Sequence, residues 1–216
     1  MAEINNDKSN TLLTGTSGDD SIQNGGYWSD SWHDGGSNVT INAGAGNDDV
    51  LNYDGSSNVT INTGAGNDEV RNWGSSVTIN TGAGNDVVDN NSSGDSVIIN
   101  TGAGNDEVWN YYGESVTINT GDGNDFVFNL GDSVTISGGK GNDSIYNNCY
   151  CKDDGSIHYY TFDGGNNVLF KYEEGDGNDI IYRFKADSTL SIGGGSYSTT
   201  KSGKNIIVTV GDGKFL

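Results

Sequence analysis

The residues best placed to do chemistry in this 216-residue chain are aspartates. The string Gly-x-Gly-Asn-Asp begins at Gly44, Gly64, Gly82 and Gly102 as GAGND, at Gly121 and Gly175 as GDGND, and at Gly139 as GKGND. Its last residue sets Asp48, Asp68, Asp86, Asp106, Asp125 and Asp143 at spacings of 20, 18, 20, 19 and 18 residues. Asp179 follows 36 residues later, and the divergent GTSGDD at residues 15–20 ends in Asp20. A carboxylate at one position per turn of a repeat fold stacks in a column at about 4.8 Å intervals. Such a column repels itself unless something neutralises it. Calcium answers that need: it takes 6 to 8 oxygens at about 2.3–2.6 Å in flexible geometry, whereas magnesium demands a tighter octahedron. Asx turn-capping accounts for isolated aspartates, but leaves the stacked charge unexplained.

The elements that must position this column are short strands. Half a period from each Asp stands a second motif: NVTIN at Asn38 and Asn58, SVTIN at Ser76 and Ser115, SVIIN at Ser96, SVTIS at Ser133. In VTIN the alternation sends Val and Ile to one face and Thr and Asn to the other. A second short strand follows each Asp. Two short strands per period are too few for an independent hairpin, but stacked turn on turn they predict an all-β, right-handed parallel β-solenoid. Two sheets then face across a narrow Val/Ile core. The absence of Pro agrees, because ladders need every N–H, and the 35 Gly agree with turns of positive φ.

Composition narrows the function classes. There are 30 acidic and 10 basic residues, a formal charge of −20, and 32% hydrophobic residues. A chain this acidic and this poor in apolar residues is expanded unless cations neutralise it. The charge disfavours nucleic acid and anionic membranes, and no apolar run approaches a membrane span. Residues 1–15 lack the basic and hydrophobic regions of a signal peptide. Two cysteines make no disulfide framework.

Residues 138–146, GGKGNDSIY, match the whole nonapeptide GGxGxDxUx. On this match and the copies in register with it, the chain from about residue 12 to 182 resembles the RTX, or haemolysin-type, calcium-binding repeat family and its β-roll. The resemblance implies that the sixth-position Asp and the loop carbonyls bind calcium between adjacent turns. The implied ligands are Asp48, Asp68, Asp86, Asp106, Asp125 and Asp143, with Asp20 and Asp179 at the ends. The implied loops carry Gly44, Gly46, Gly64, Gly66, Gly82, Gly84, Gly102, Gly104, Gly121, Gly123, Gly139 and Gly141. Six consecutive loops would hold about five Ca²⁺. The resemblance also implies export through a type I secretion channel with an uncleaved C-terminal signal, and folding in extracellular calcium. Extracellular modules bind at about 10⁻⁴–10⁻³ M, so metal-binding energy becomes folding energy. The chain departs from the pattern at position one, which is Ala43, Thr63, Thr81, Thr101 and Thr120 in five copies. The motif comes once per turn, so calcium is expected along one edge, with plain Gly/Ser turns opposite. Asn167 in GGNNV reads as a degraded copy.

Three regions are expected: residues 1–10 as a flexible N-terminus, 11–148 as the solenoid, and 149–216 as C-terminal repeats or cap with the secretion signal. The larger apolar residues of that last region, among them the run at residues 159–162, suit a cap over an open core. The outward pairs Thr40/Asn42, Thr60/Asn62, Thr78/Asn80 and Thr117/Asn119 form a possible ligand face, and an ice-binding protein is the alternative reading. Against that alternative, Thr is in any case a good strand residue. The other outer face gathers aromatics toward the C-terminal half (Trp109, Phe126, Phe128, Tyr146), which points to a glycan or a partner protein. An insertion around Trp28 and Trp32 lengthens one turn. Cys149, Cys151 and His158 fall short of a tetrahedral metal set. With two His in unrelated contexts and no catalytic motif, the expected role is a secreted structural or adhesive surface protein, or an accessory module of an exported enzyme system, and not an enzyme.

Overall fold

The computed structural model describes residues 1–216 apart from 92–93, 149, 152–156, 159–163, 195–196, 203–204 and 211–216. Among these it is all β, with no helix. Two large sheets face each other. The front sheet has nine parallel strands: Leu12–Thr14, Thr40–Ala45, Ser57–Ala65, Ser75–Ala83, Ile98–Ala103, Thr117–Asp122, Thr135–Lys140, Leu169–Glu173 and Thr189–Gly193. The back sheet runs Glu3–Asn6, Ser21–Asn24, Asp49–Asn52, Glu69–Asn72, Val87–Asn90, Glu107–Asn110, Phe126–Asn129, Ser144–Asn147 and Gly177–Tyr182. Two antiparallel strands, Asn205–Val210 and then Tyr197–Ser202, complete its 11 strands. Each turn takes one strand from each sheet, so the molecule is a parallel β-solenoid of about nine turns.

Register is strict because each residue lies beside its equivalent in the next turn. Thr60 faces Thr78, Ile61 faces Ile79 and Asn62 faces Asn80. A slip of one residue would send every Val and Ile outward. Those residues make the core: Val59, Ile61 and Val70 from one turn are at most 1% exposed, as are Val77, Ile79 and Val88 from the next. Each contributes about 1.5–3 kcal/mol by leaving water, which offsets the ordering entropy of a chain poor in apolar residues.

Across the repeats between residues 38 and 147 the period varies on one edge only. From the Val of VTIN to the Asp is always nine residues, and from that Asp to the last Asn of the back strand always four. All variation lies between that Asn and the next Val: six residues after Asn52, four after Asn72, six after Asn90, five after Asn110. Both long insertions fall on this edge too. One carries the antiparallel pair Gly26–Trp28 and Ser31–His33, the other the pair Tyr150–Cys151 and Ile157–His158. Its turns end in a left-handed residue just before the Val: Asn38, Asn58, Ser76, Ser96, Ser115, Ser133 and Asn167, with φ from 52° to 57°. Asn tolerates that conformation better than most residues.

Plain Gly/Ser turns were expected on this edge, and the structure corrects this. Its centre is a buried amide ladder. Asn24 Nδ2 donates to Asn52 Oδ1, Asn52 to Asn72, Asn72 to Asn90, Asn90 to Asn110 and Asn110 to Asn129, all at 2.8 Å. From Asn24, Asn72, Asn90, Asn110 and Asn129 the second amide hydrogen goes to a carbonyl of the same edge, as from Asn72 to Gly74 at 2.8 Å. The ladder therefore closes on itself, which is why Asn can be fully buried here. Replacing Asn90 by Ala should cost about 3 kcal/mol, since the Asn72 amide and the Asn110 carbonyl oxygen lose their partner in a dry site. A urea midpoint within error of wild type would show that the ladder contributes nothing.

Three other expectations shift. The first ten residues are not a free tail, because Glu3–Asn6 pairs in parallel with Ser21–Asn24. The parallel ladders continue beyond residue 148 through the strands Leu169–Glu173, Gly177–Tyr182 and Thr189–Gly193. Asn167 is no degraded metal loop; it holds the left-handed position of the Asn edge. Cys149 and the run at 159–162 lie outside the described residues.

Candidate metal centre

The opposite edge is built from the Gly-x-Gly-Asn-Asp loops, which link each front strand to the next back strand. Their invariant length lets them stack atom on atom, and glycine makes that possible. At Gly64 (φ 114°) a Cβ would lie 1.9 Å from the Gly44 carbonyl oxygen, and at Gly66 (φ 137°) 1.9 Å from that of Gly46. The same two glycines recur at Gly82 and Gly84, Gly102 and Gly104, Gly121 and Gly123, and Gly139 and Gly141, all with positive φ.

Loop backbones bond from turn to turn. The amides of Gly46, Gly66 and Gly84 donate to the carbonyls of Ala65, Ala83 and Ala103 at 2.8–2.9 Å, and Glu69 N–H donates to the Asp48 carbonyl at 2.8 Å. Carbonyls of the kind expected as ligands are thus engaged, though each keeps a second lone pair. Asn67 N–H donates to Asn47 Oδ1, and Asn85 to Asn67, both at 2.8 Å.

The aspartates form the innermost column, between 0% and 3% exposed. Each backbone N–H donates to Oδ1 of the Asp one turn on. Asp20 pairs with Asp48, Asp48 with Asp68, Asp68 with Asp86, Asp86 with Asp106, Asp106 with Asp125 and Asp125 with Asp143, at 2.8–2.9 Å. Asp143 reaches Asp179 at 2.6 Å. The end copies Asp20 and Asp179 are therefore full members. The second oxygen is another matter. Oδ2 of Asp48, Asp68, Asp86, Asp106, Asp125, Asp143 and Asp179 is buried and has no hydrogen-bond partner.

Asp20 alone is satisfied within the protein. Its two oxygens accept the amides of Ala2 and Thr16 and lie within reach of the Thr16 hydroxyl. Burial works to raise its pKa, but these bonds together bring it below the usual value. Elsewhere burial wins. It raises the pKa of Asp48, Asp86, Asp106 and Asp125, outweighing the hydroxyls of Thr81, Thr101 and Thr120, which lie near the last three without forming a well-aligned bond to Oδ2. With neighbouring carboxylates adding to it, Asp143 is pushed to about 7 and Asp179 to about 8. Two edges of one solenoid thus carry opposite chemistry: the Asn column closes on itself, and from Asp48 onward the Asp column leaves one carboxyl oxygen per turn without a hydrogen bond.

Unpaired buried carboxylate oxygens in register are what a hard cation would satisfy. Among the described residues no three His, Cys, Asp or Glu side chains gather at one point. A cation here would therefore sit between two successive aspartates, its shell completed by carbonyl or water oxygens. The residues fit calcium on that basis.

The outer faces are less open to ligands than their composition implies. Asn62, Asn80, Asn100 and Asn119 donate along the front sheet to Asn42, Asn62, Asn80 and Asn100 at 2.8–2.9 Å. These amides are committed to one another, and the hydroxyl row of Thr40, Thr60, Thr78 and Thr117 is interrupted by Ile98, 44% exposed. On the back sheet Tyr146 and Tyr182 stack 4.2 Å apart at 7°, and on the Asn edge Tyr53 and Trp73 stack 5.2 Å apart at 9°. Trp109 instead packs at 47° and 49° against Phe126 and Phe128, so these rings are held by one another. His33 binds Asp7 at 3.0 Å and ties the first insertion to the first turn.

No protein-family model matches the chain. No curated protein matches it either.

Reading residues alone missed the Asn column, although its signal was in plain view: an Asn four residues after each Asp from Asp20 to Asp143.

Proposed function

We propose that this protein is a calcium-binding β-solenoid of the kind its motifs resemble, folding on extracellular calcium to serve a structural or adhesive role at or beyond the cell surface. The observation that carries this reading is the row of seven buried, unpartnered Oδ2 atoms. A buried carboxylate without a partner is strongly destabilising, and seven in register call for a common counterion. Calcium between successive turns supplies it. The eight aspartates of the column bound seven gaps, the first with only Asp48 Oδ2 unmet and the other six with two such oxygens, so seven ions fit rather than the five that six loops imply. Seven Ca²⁺ bring +14 to a chain of −20, leaving −6. Before export, at low calcium, the chain stays expanded; outside, binding and folding are one event. Passage through a type I secretion channel follows from the resemblance.

Native mass spectrometry with calcium titration, beside far-UV circular dichroism, tests this. Seven Ca²⁺ bound cooperatively with the gain of β signal, and little response to magnesium, are expected. A full β signal in EGTA at neutral pH, with no bound calcium, would sink it.

A further inference from the structure

At its C-terminal end the aspartate column meets a different neighbour. The buried position that holds Thr63, Thr81, Thr101 and Thr120 in successive turns becomes Gly138 and then Tyr172, since Ser137 faces Lys171 in the next strand pair. The threonines are settled: Thr101 Oγ1 donates to the Thr120 carbonyl at 2.9 Å, and Thr120 Oγ1 to that of Gly138 at 2.7 Å. Tyr172 is not. It is 2% exposed, and its hydroxyl is buried without a hydrogen bond. At Gly138, the same position one turn earlier, a Cβ would lie 2.2 Å from Asp143 Oδ2, so this position faces the carboxylate column; burial first, then Asp179, Asp143 and Asp176, raise the pKa of the phenol. Asp143 Oδ2 and Asp179 Oδ2 are also buried and unpartnered. The two carboxyls lie close enough to influence each other's protonation, and the phenol oxygen shares the same end of the core.

A bare phenol in a dry site costs about 1–3 kcal/mol, which Phe would avoid, and Phe170 two residues earlier is fully buried as Phe. Asp176 is spoken for. Its Oδ2 accepts Glu173 N–H at 2.6 Å and shapes the turn before Asp179. We infer that the gap between the Asp143 and Asp179 turns holds a divalent cation whose shell includes the Tyr172 hydroxyl together with Asp143 Oδ2 and Asp179 Oδ2. This rests on the calcium reading above and deepens it. The last site differs in composition from the six before it, and calcium accepts neutral oxygens beside carboxylates. Its occupation ties the strands Leu169–Glu173 and Gly177–Tyr182 to the rest of the column.

The test uses the full chain and Tyr172→Phe, titrated with calcium by native mass spectrometry and with terbium under tyrosine excitation. Wild type should bind seven calcium ions, and Tyr172→Phe should bind six at the concentration that just fills wild type. Tyrosine-sensitised terbium emission should fall several-fold. Asp179→Asn keeps the phenol but removes a ligand, so the same loss of emission is expected there should the Phe variant fail to fold. Seven ions and unchanged emission in the variants overturn this site alone. A wild-type chain that binds no cation overturns the calcium reading as well.

Discussion

Stripped of calcium with EGTA, the chain is expected to fold in acid and to lose its β structure as the pH rises through 7 to 8. The cause is the carboxylate column. Burial, with neighbouring carboxylates, raises Asp143 to about 7 and Asp179 to about 8, and burial raises Asp48, Asp86, Asp106 and Asp125 as well. An acid whose pKa is raised on folding binds its proton more tightly in the native state. Its contribution is therefore complete below the unfolded value of 3.8 and disappears as the pH passes the folded value. A protonated carboxyl also gains an O–H donor for a site with no other cation. Calcium should reverse the slope, because it binds the ionised carboxylates and competes with protons. Urea midpoints measured from pH 4 to 9 with and without calcium should therefore cross. A calcium-free chain equally stable at pH 4 and pH 8 would contradict the column as the seat of the effect.

Asp86→Asn should change sign with the metal. In EGTA at neutral pH it removes a buried charge lying between Asp68 and Asp106, while the amide oxygen still accepts the Asp68 N–H. A gain of about 2 kcal/mol is expected, read as a shift to higher pH of the midpoint at which the calcium-free chain loses its β structure. In saturating calcium the same change strips a ligand from two adjacent gaps, so two ions are lost and stability falls by at least as much. Asp54→Asn, an exposed substitution that removes the same formal charge, should leave stability in both buffers within about 0.5 kcal/mol of wild type. A shift of the same sign in both buffers would mean that Asp86 acts as a packing residue rather than as a cation ligand.

Much of this molecule was legible in its sequence because repetition converts spacing into geometry. A VTIN strand every 18 to 20 residues, with Val and Ile alternating against Thr and Asn, can bury its apolar face only against copies of itself. The column from Asp48 to Asp143 followed from the same logic, and Asp20 and Asp179 joined it once Glu3–Asn6 and Leu169–Glu173 proved to be turns of the same solenoid. What the spacing could not disclose was how each polar atom is satisfied. Asn72 and Asp68 are both polar residues in the same repeat. Only the structure shows that one edge closes its hydrogen bonds while the other leaves an oxygen per turn unmet. Nor could spacing show that Tyr172 enters the position of the threonines, because the two extra residues before Asp176 break the motif there. Strand identity and stacking depend on which residue types recur and are local to one period. Satisfaction of buried atoms depends on contacts between residues 18 to 36 apart in the chain, and the fold alone brings those together.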